Sequence, residues 1–275
     1  MTSALPQLQS AFGWIYFFAW SATFWPQVLL ILRRRTTAGL STDFVTINIV
    51  GFISYAIFTF SSYAVPAVSS SYVAATGYPP QVELADVLFA AHGAVMCSVL
   101  VAQLFLFPPR IAPRRYVAAS ALVAQALVLL GLALALRGRL DWYRYLSGAG
   151  AVKVVASLVK HFPQVWLNRE RGSTVGWSFT MVLLDVVGGS FSVAQQAVKA
   201  VRMGSWAPFT ANLAKTFLAA ESLVFDFWFI LQHTVFYADH TDIDLAPFKP
   251  VAEDEHAADA ADEHVELVSR RGNWV

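Results

Sequence analysis

Residues Leu158–Gln164 read LVKHFPQ, and residues Leu183–Ser192 in the next hydrophobic segment read LLDVVGGSFS. These two runs place a lysine, a Pro-Gln pair and an aspartate inside segments that are otherwise apolar enough to lie in a membrane. An ionisable side chain in hydrocarbon costs about 2.5–3.5 kcal/mol or more, so such residues are rarely retained without a function. We therefore predict that the chain moves a charged solute, or a proton, across a membrane.

The composition indicates an all-α integral membrane protein. Of the 275 residues, 57% are hydrophobic and only 13% are charged, and the mean hydropathy is +0.53, whereas soluble domains carry about 25% charged residues. The net charge of +1 gives no reason to expect a nucleic-acid partner. Cys97 is the single cysteine, and no Cys/His cluster or nucleophile–base spacing predicts a metal, a cofactor or an enzyme.

Seven apolar stretches are long enough to cross a bilayer, which needs about 20 residues per helix. They cover residues 12–32, 43–65, 84–107, 116–136, 144–167, 178–199 and 212–237. Residues 66–80, between the second and third stretches, are predicted to be a long loop. The first stretch lacks the basic start and the short apolar core of a cleaved signal peptide, so we interpret it as a retained span.

The placement of lysine and arginine predicts the orientation, because these residues are enriched in cytosolic loops. If Arg33–Arg35 face the cytosol, residues 1–11 form a short lumenal N-terminus. Eight basic residues then lie on the cytosolic side, namely Arg33, Arg34, Arg35, Arg110, Arg114, Arg115, Arg169 and Arg171. Five lie on the opposite side, namely Arg137, Arg139, Arg144, Lys199 and Arg202. The acidic, Ala-rich residues 239–275 are predicted to be a disordered cytosolic tail.

An internal repeat relates the two halves of the chain. The sequence FWPQV at Phe24–Val28 matches FPQV at Phe162–Val165, and the two prolines are 137 residues apart. Because four crossings separate the copies, both insert in the same direction. We predict two parallel three-helix bundles, residues 12–107 and 144–238, joined by a linker helix in residues 108–143. Transporters built from parallel repeats bind their substrate between the repeats, near the middle of the membrane.

Several longer strings resemble the PQ-loop family, and within it the cystinosin branch, over residues 14–237. They are Gly39–Val45, Lys160–Gln164, Gly176–Ser178, Leu183–Asp185 with Gly188–Ser192, and Phe225-Asp226 with Gln232-His233. The resemblance implies a seven-helix carrier that exports cystine, together with protons, from the lumen of a lysosome or vacuole to the cytosol. Its partners would be cystine, protons and the lipid bilayer, and Glu263–Val268 is a candidate signal for sorting adaptors.

Three aspartates are candidates for proton coupling. Asp185 lies in the sixth span and is the favoured proton carrier or ligand of a substrate ammonium group, because a carboxyl group removed from water takes up a proton more readily. Asp226 lies in the middle of the seventh span, and Asp86 opens the third. The alternative for each is a structural role as an ion pair, a hydrogen-bonded acid or a helix cap.

The substrate-binding candidates follow from the charges of cystine, which has two carboxylates and two ammonium groups. Lys153, Lys160 and Lys215 are candidates for meeting the carboxylates. Asn48 and Asp185, together with Asn212 from its position alone, are candidates for meeting the ammonium groups.

Four residues are candidates for a gating hinge. Pro26 and Pro163 each remove a helical hydrogen bond and bend the helix, while Gln27 and Gln164 are expected to bond the carbonyls that the prolines release. A static bend is the alternative. Two other functions stay open for the chain: export of a different amino acid, or a non-transporting seven-helix receptor or scaffold.

Overall fold

The computed structural model describes residues 4–77, 79–80, 82, 84–206, 208–209 and 213–239. Within this part the secondary structure is helical and contains no strand, which confirms the all-α class. The helices are α1 Ala4–Ala22, α2 Phe24–Arg34, α3 Thr42–Ala64, α4 Pro66–Thr76, α5 Leu84–Leu106, α6 Arg115–Leu136, α7 Trp142–Arg171, α8 Phe179–Met203 and α9 Leu213–Leu231, with a π-helical turn at Gln232–Phe236. Asn212, residues 240–275 of the predicted tail and the sorting segment Glu263–Val268 lie outside the described residues.

Among the described residues, five helical segments are long and apolar enough to cross a membrane, so the protein is a multi-pass membrane protein. They are Ala4–Arg34, Thr42–Ala64, Leu84–Leu106, Arg115–Leu136 and Phe179–Met203. The other two predicted spans correspond to α7 and α9, which are of sufficient length but carry several charged side chains. The total of seven spans stays a prediction for this reason.

The helices of the two halves pack in a reciprocal arrangement. The most extensive contacts between halves join α3 to α7 and α1 to α8. The first helix of each half thus lies against the second helix of the other half. Within the halves, α5 contacts α1, α2 and α3, and α9 contacts α7 and α8, while α6 packs on the outside of α3 and α7.

The two repeated prolines behave differently. Pro26 lacks the N–H that would bond the Ala22 carbonyl four residues earlier, and the first span is interrupted between the end of α1 at Ala22 and the start of α2 at Phe24. Pro163 lies inside α7, which is continuous from Trp142 to Arg171.

Helix α4 occupies a segment that the sequence predicted to be a loop. It begins with Pro66 in the first turn, where a missing N–H costs nothing. Its Val68 is fully buried against Tyr145 and Leu146 of α7, and the Ser71 hydroxyl donates to Asp141 at the start of α7 with a distance of 2.7 Å. The prediction was wrong because proline and serine are common in loops, whereas packing on α7 stabilises a helix here.

Candidate functional site

The glutamines of the two Pro-Gln pairs join the halves at one end of the bundle. Gln164 accepts a hydrogen bond from the Ser41 N–H (2.8 Å) and donates to the Gly39 carbonyl (2.8 Å). Gln27 does the same in the other direction, accepting from the Ser178 N–H (2.9 Å) and donating to the Gly176 carbonyl (3.0 Å). We call these two glutamines, with loops 35–41 and 172–178, the glutamine clasp.

The clasp brings two loop backbones into direct contact. Gly39 and Gly176 both have a φ of +94°, and a Cβ on them would lie 2.1 Å from the Val175 carbonyl oxygen and 2.0 Å from that of Ala38, respectively. A side chain is excluded at both positions by backbone conformation and by space. The contact closes the gap between the halves at the clasp end of the bundle.

The prediction that each glutamine bonds the carbonyl released by its own proline was wrong. Both side chains cross to the loop of the other half instead, because the loop backbone at the start of α3 and α8 has polar groups that no helix satisfies. A second pair of glutamines repeats the symmetry: Gln103 donates to the Val28 carbonyl and Gln232 to the Val165 carbonyl, each at 3.0 Å.

A cavity lies between helices of both halves. Its aromatic lining comprises Trp20, Phe24, Phe44, Phe52, Phe89, Trp177 and Phe229. Its polar lining comprises Thr23, Gln27, Asn48, Lys153, Ser157, Lys160, His161, Asp185, Glu221, Ser222 and Asp226. The cavity therefore combines ammonium groups, carboxylates and an amide inside an aromatic frame, which suits a solute that carries both signs of charge.

Two of the predicted aspartates line the cavity. Asp226 on α9 is 2% exposed, and the Ser222 hydroxyl donates to its Oδ2 at 3.2 Å. Asp185 on α8 is half-buried and lines the same cavity as Ser222 and Asp226. The structure thus brings Asp185 and Asp226 together on one wall of the cavity.

Both predicted lysines of α7 also line the cavity. The Lys153 Nζ lies 3.9 Å from the centre of the Phe52 ring, and the Lys160 Nζ lies 5.9 Å from that of Phe44. Among the described residues, neither ammonium group forms an ion pair with a carboxylate. Aromatic faces attract a cation weakly compared with a carboxylate, so the two charges are available to a ligand.

Asn48 lines the cavity and carries a buried acceptor. Its Nδ2 donates to the Cys97 sulfur at 3.2 Å, which orients the amide. Its Oδ1 is buried and, within the described part of the chain, has no hydrogen-bond partner. Because an unsatisfied buried acceptor is costly, this oxygen suits a ligand that donates hydrogen bonds, such as an ammonium group.

Two other predicted residues lie outside the cavity lining, in a separate cluster toward the end opposite the clasp. The Tyr16 hydroxyl donates to Asp86 at 3.3 Å. Lys215 donates to Gln195 at 2.6 Å and its Nζ lies 4.2 Å from the centre of the Tyr16 ring. Asp86 and Lys215 are therefore neighbours through Tyr16 rather than parts of the cavity wall.

Sequence reasoning singled out neither Glu221 nor His161 as a site residue, although both are ionisable and line the cavity. The Glu221 Oε2 lies 3.3 Å from Nδ1 of His161, and both side chains are buried. The signal was present, because Glu221 lies inside the predicted seventh span just as Asp226 does. Residue Glu221 was overlooked because it has no counterpart in the motif strings.

Comparison with known proteins places the chain in a family. A family model described as "PQ loop repeat" matches residues 8–68 and 145–200. The chain is 35% identical to "Cystinosin" of Bos taurus over 84% of this chain and 63% of the relative. It is 32% identical to "Cystinosin homolog" of Arabidopsis thaliana over 92% of this chain and 94% of the relative. It is 24% identical to "Cystine transporter" of Saccharomyces cerevisiae over 83% of this chain and 94% of the relative.

The coverage differs between relatives. The chain spans 63% of the Bos taurus protein and 56% of the "Cystinosin homolog" of Caenorhabditis elegans, but nearly the whole of the Arabidopsis thaliana protein. The chain belongs to the PQ-loop family, in the branch formed by cystinosin and its homologues.

Proposed function

We propose that this protein exports cystine from the lumen of a lysosome or vacuole to the cytosol in symport with protons. The single observation that carries the proposal is the cavity wall, on which two unpaired lysines face a pair of aspartates inside an aromatic frame. The relatives named for cystine transport support the choice of substrate.

The charges of the wall match those of cystine. Lys153 and Lys160 lie two helical turns apart on one face of α7, a separation of about 10 Å, and are suited to the two carboxylates of one cystine molecule. Asp185 and the free Oδ1 of Asn48 are suited to its two ammonium groups. A dipolar solute of this kind satisfies groups that would otherwise be buried without partners.

Proton coupling is assigned to the aspartates. Asp185 and Asp226 line the same cavity, and two negative charges held in one poorly solvated cavity repel each other. A proton on either carboxyl group relieves the repulsion. Release of this proton on the other side of the membrane restores the repulsion. Asp86, near the opposite end from the clasp, is the candidate for first contact with lumenal water.

Alternating access then requires the clasp to open. The two bundles, residues 12–107 and 144–238, rock about the linker 108–143, and the interrupted helix at Pro26 and the proline inside α7 at Pro163 act as hinges. In the described conformation the clasp joins the two halves at its own end of the bundle. With the predicted orientation, this is the cytosolic end.

The test is uptake of labelled cystine into proteoliposomes that contain the purified protein, with and without a proton gradient. We expect accumulation against the cystine gradient when protons flow with the substrate, and the same result for the control Leu122→Ala, since Leu122 is 72% exposed on α6. Gradient-driven uptake of lysine or arginine without cystine would favour the alternative amino-acid carrier. Absence of any substrate-dependent flux would favour the receptor or scaffold.

A further inference from the structure

The His161 imidazole lies among aromatic rings, and the carboxyl group of Glu221 lies at its edge. Ring centres of Phe225, Phe229 and Phe44 lie 4.8, 5.8 and 5.9 Å from that of His161. The Glu221 Oε2 lies 3.3 Å from Nδ1. His161 is 4% exposed and Glu221 is 9% exposed, and both line the cavity.

His161 Nδ1 and Glu221 Oε2 are both buried, and neither makes a hydrogen bond of regular geometry among the described residues. At 3.3 Å a bare Nδ1 and a carboxylate oxygen would face each other with lone pairs, which is repulsive, so at least one proton on the pair is favoured. The state with the fewest protons is then a neutral imidazole with its hydrogen on Nδ1 beside an ionised carboxylate. In that state the pair has a charge of −1. Uptake of one more proton, on the carboxylate or on the second ring nitrogen, gives either a carboxylic acid beside a neutral imidazole or an imidazolium–carboxylate pair, and both are neutral overall.

The other charges that face this pair belong to three helices. They are Lys153 and Lys160 on α7, Asp185 on α8 and Asp226 on α9. The described lining residues of α1, α2, α3 and α5 are aromatic, aliphatic, amide or hydroxyl residues. If all five of these groups are ionised, two ammonium groups against three carboxylates leave the wall with a surplus of one negative charge.

We propose that His161 and Glu221 form a second proton-binding site, separate from Asp185 and Asp226. The proton comes from water on the acidic side of the membrane, resides on the pair, and returns to water on the other side. When Asp185 and Asp226 are both ionised, one proton on the pair removes the surplus charge of the wall. A neutral wall around a dipolar solute lowers the cost of carrying it through a low-dielectric medium. The role in transport rests on the function proposed above, whereas the existence of the site does not.

The site itself is tested without substrate by infrared difference spectra of the purified protein in acidic against neutral buffer. We expect one protonation signal, of a carboxylic acid or an imidazolium, that disappears in both Glu221→Gln and His161→Gln. The matched control Glu170→Gln, which removes a glutamate at the end of α7 outside the cavity lining, is expected to keep it. Spectra of both cavity variants that match the wild type would overturn the proposal, provided that their thermal unfolding shows folded protein.

The link to transport is tested by calorimetry of cystine binding in buffers with different heats of ionisation, which counts the protons taken up per cystine. We expect Glu221→Gln and His161→Gln to lower this number equally, the double variant to lower it no further, and Asp185→Asn to lower it independently. An unchanged number in the Glu221 and His161 variants would overturn the coupling role. If the wild type binds no cystine, the proposed function fails, and the infrared result still decides whether the pair binds a proton.

Discussion

Gln27 and Gln164 each bind the loop of the half to which they do not belong, with 2.9 Å to the Ser178 N–H and 2.8 Å to the Ser41 N–H. Ser41 and Ser178 are the N-caps of α3 and α8. Gln164 therefore binds the backbone at the start of α3, and Gln27 binds it at the start of α8. All four hydrogen bonds of the clasp must break before the halves can separate at this end. The glutamines of the two Pro-Gln pairs therefore join the two repeats, and we expect them to act as a reversible latch.

Removal of one clasp glutamine is expected to destabilise this closed conformation. Gln164→Ala leaves the Ser41 N–H and the Gly39 carbonyl without partners, at a cost of about 1–3 kcal/mol for each buried group. Thermal unfolding in detergent is expected to show a lower Tm. The matched control is Gln125→Ala on α6, whose amide makes no hydrogen bond within the described part of the chain, and equal melting of the two variants would contradict the latch.

A methyl group at the loop contact is expected to prevent the clasp from closing. In Gly176→Ala the new Cβ would lie 2.0 Å from the Ala38 carbonyl oxygen, and the residue would also keep a φ of +94°, a strained conformation that costs about 1–3 kcal/mol by itself. We expect a lower Tm and loss of transport. Gly148→Ala on α7 is the control, since no atom lies within 4 Å of its Cβ position, and it is expected to melt at or above the wild-type temperature. Similar Tm values for the two variants would refute the tight contact.

The α7 lysines are expected to determine affinity for an anionic group. Lys160→Met removes a charge that faces the cavity, and loss of a charged hydrogen bond of about 1.5–3 kcal/mol corresponds to a dissociation constant for cystine raised about tenfold or more. Calorimetry of cystine binding measures this change. The control Lys199→Met alters a lysine of α8 outside the cavity lining, and we expect wild-type affinity. Equal affinities would exclude Lys160 from the binding site.

Asp185→Asn is expected to abolish accumulation of cystine driven by a proton gradient, because the amide keeps the shape of the side chain but binds no exchangeable proton. Exchange of cystine across the membrane without a gradient is expected to persist at a lower rate. The measurement is uptake in proteoliposomes with each of the two driving conditions. Proton-driven accumulation at the wild-type level would disprove the coupling role of Asp185.

The junction of α4 and α7 is expected to lose stability only in strong acid. The Ser71 hydroxyl and the Arg144 backbone N–H, in that order, lower the pKa of Asp141 below its ordinary value of 3.8. Because the pKa is lower in the folded state, the ionised carboxylate stabilises the fold at pH values above 3.8. This stabilisation is lost as the pH falls toward the pKa of Asp141 in the folded protein. The Tm of Asp141→Asn is therefore expected to fall less steeply than that of the wild type below pH 3.8. Parallel pH profiles would contradict this assignment.

Residues that conflict with their local surroundings were visible in the sequence. Lys160, Asp185 and Asp226 interrupt apolar runs, and the repeated Pro-Gln pairs reveal two halves with the same direction of insertion. These signals depend only on neighbouring residues, since hydropathy and helix period are properties of a short window. They sufficed for the all-α membrane class and for most of the ionisable residues of the cavity.

Contacts between helices that are distant in the sequence depend on the tertiary structure. The sequence does not say that Gln27 reaches Ser178, that Asp86 and Lys215 meet at Tyr16, or that His161 faces Glu221, because each pair joins helices whose rotation is set by packing. For the same reason α4 was not predicted, because the face that it buries is defined mainly by its packing on α7. Local composition thus identified the groups that are costly to bury, and tertiary packing determined which of them share a partner and which are left open to a ligand.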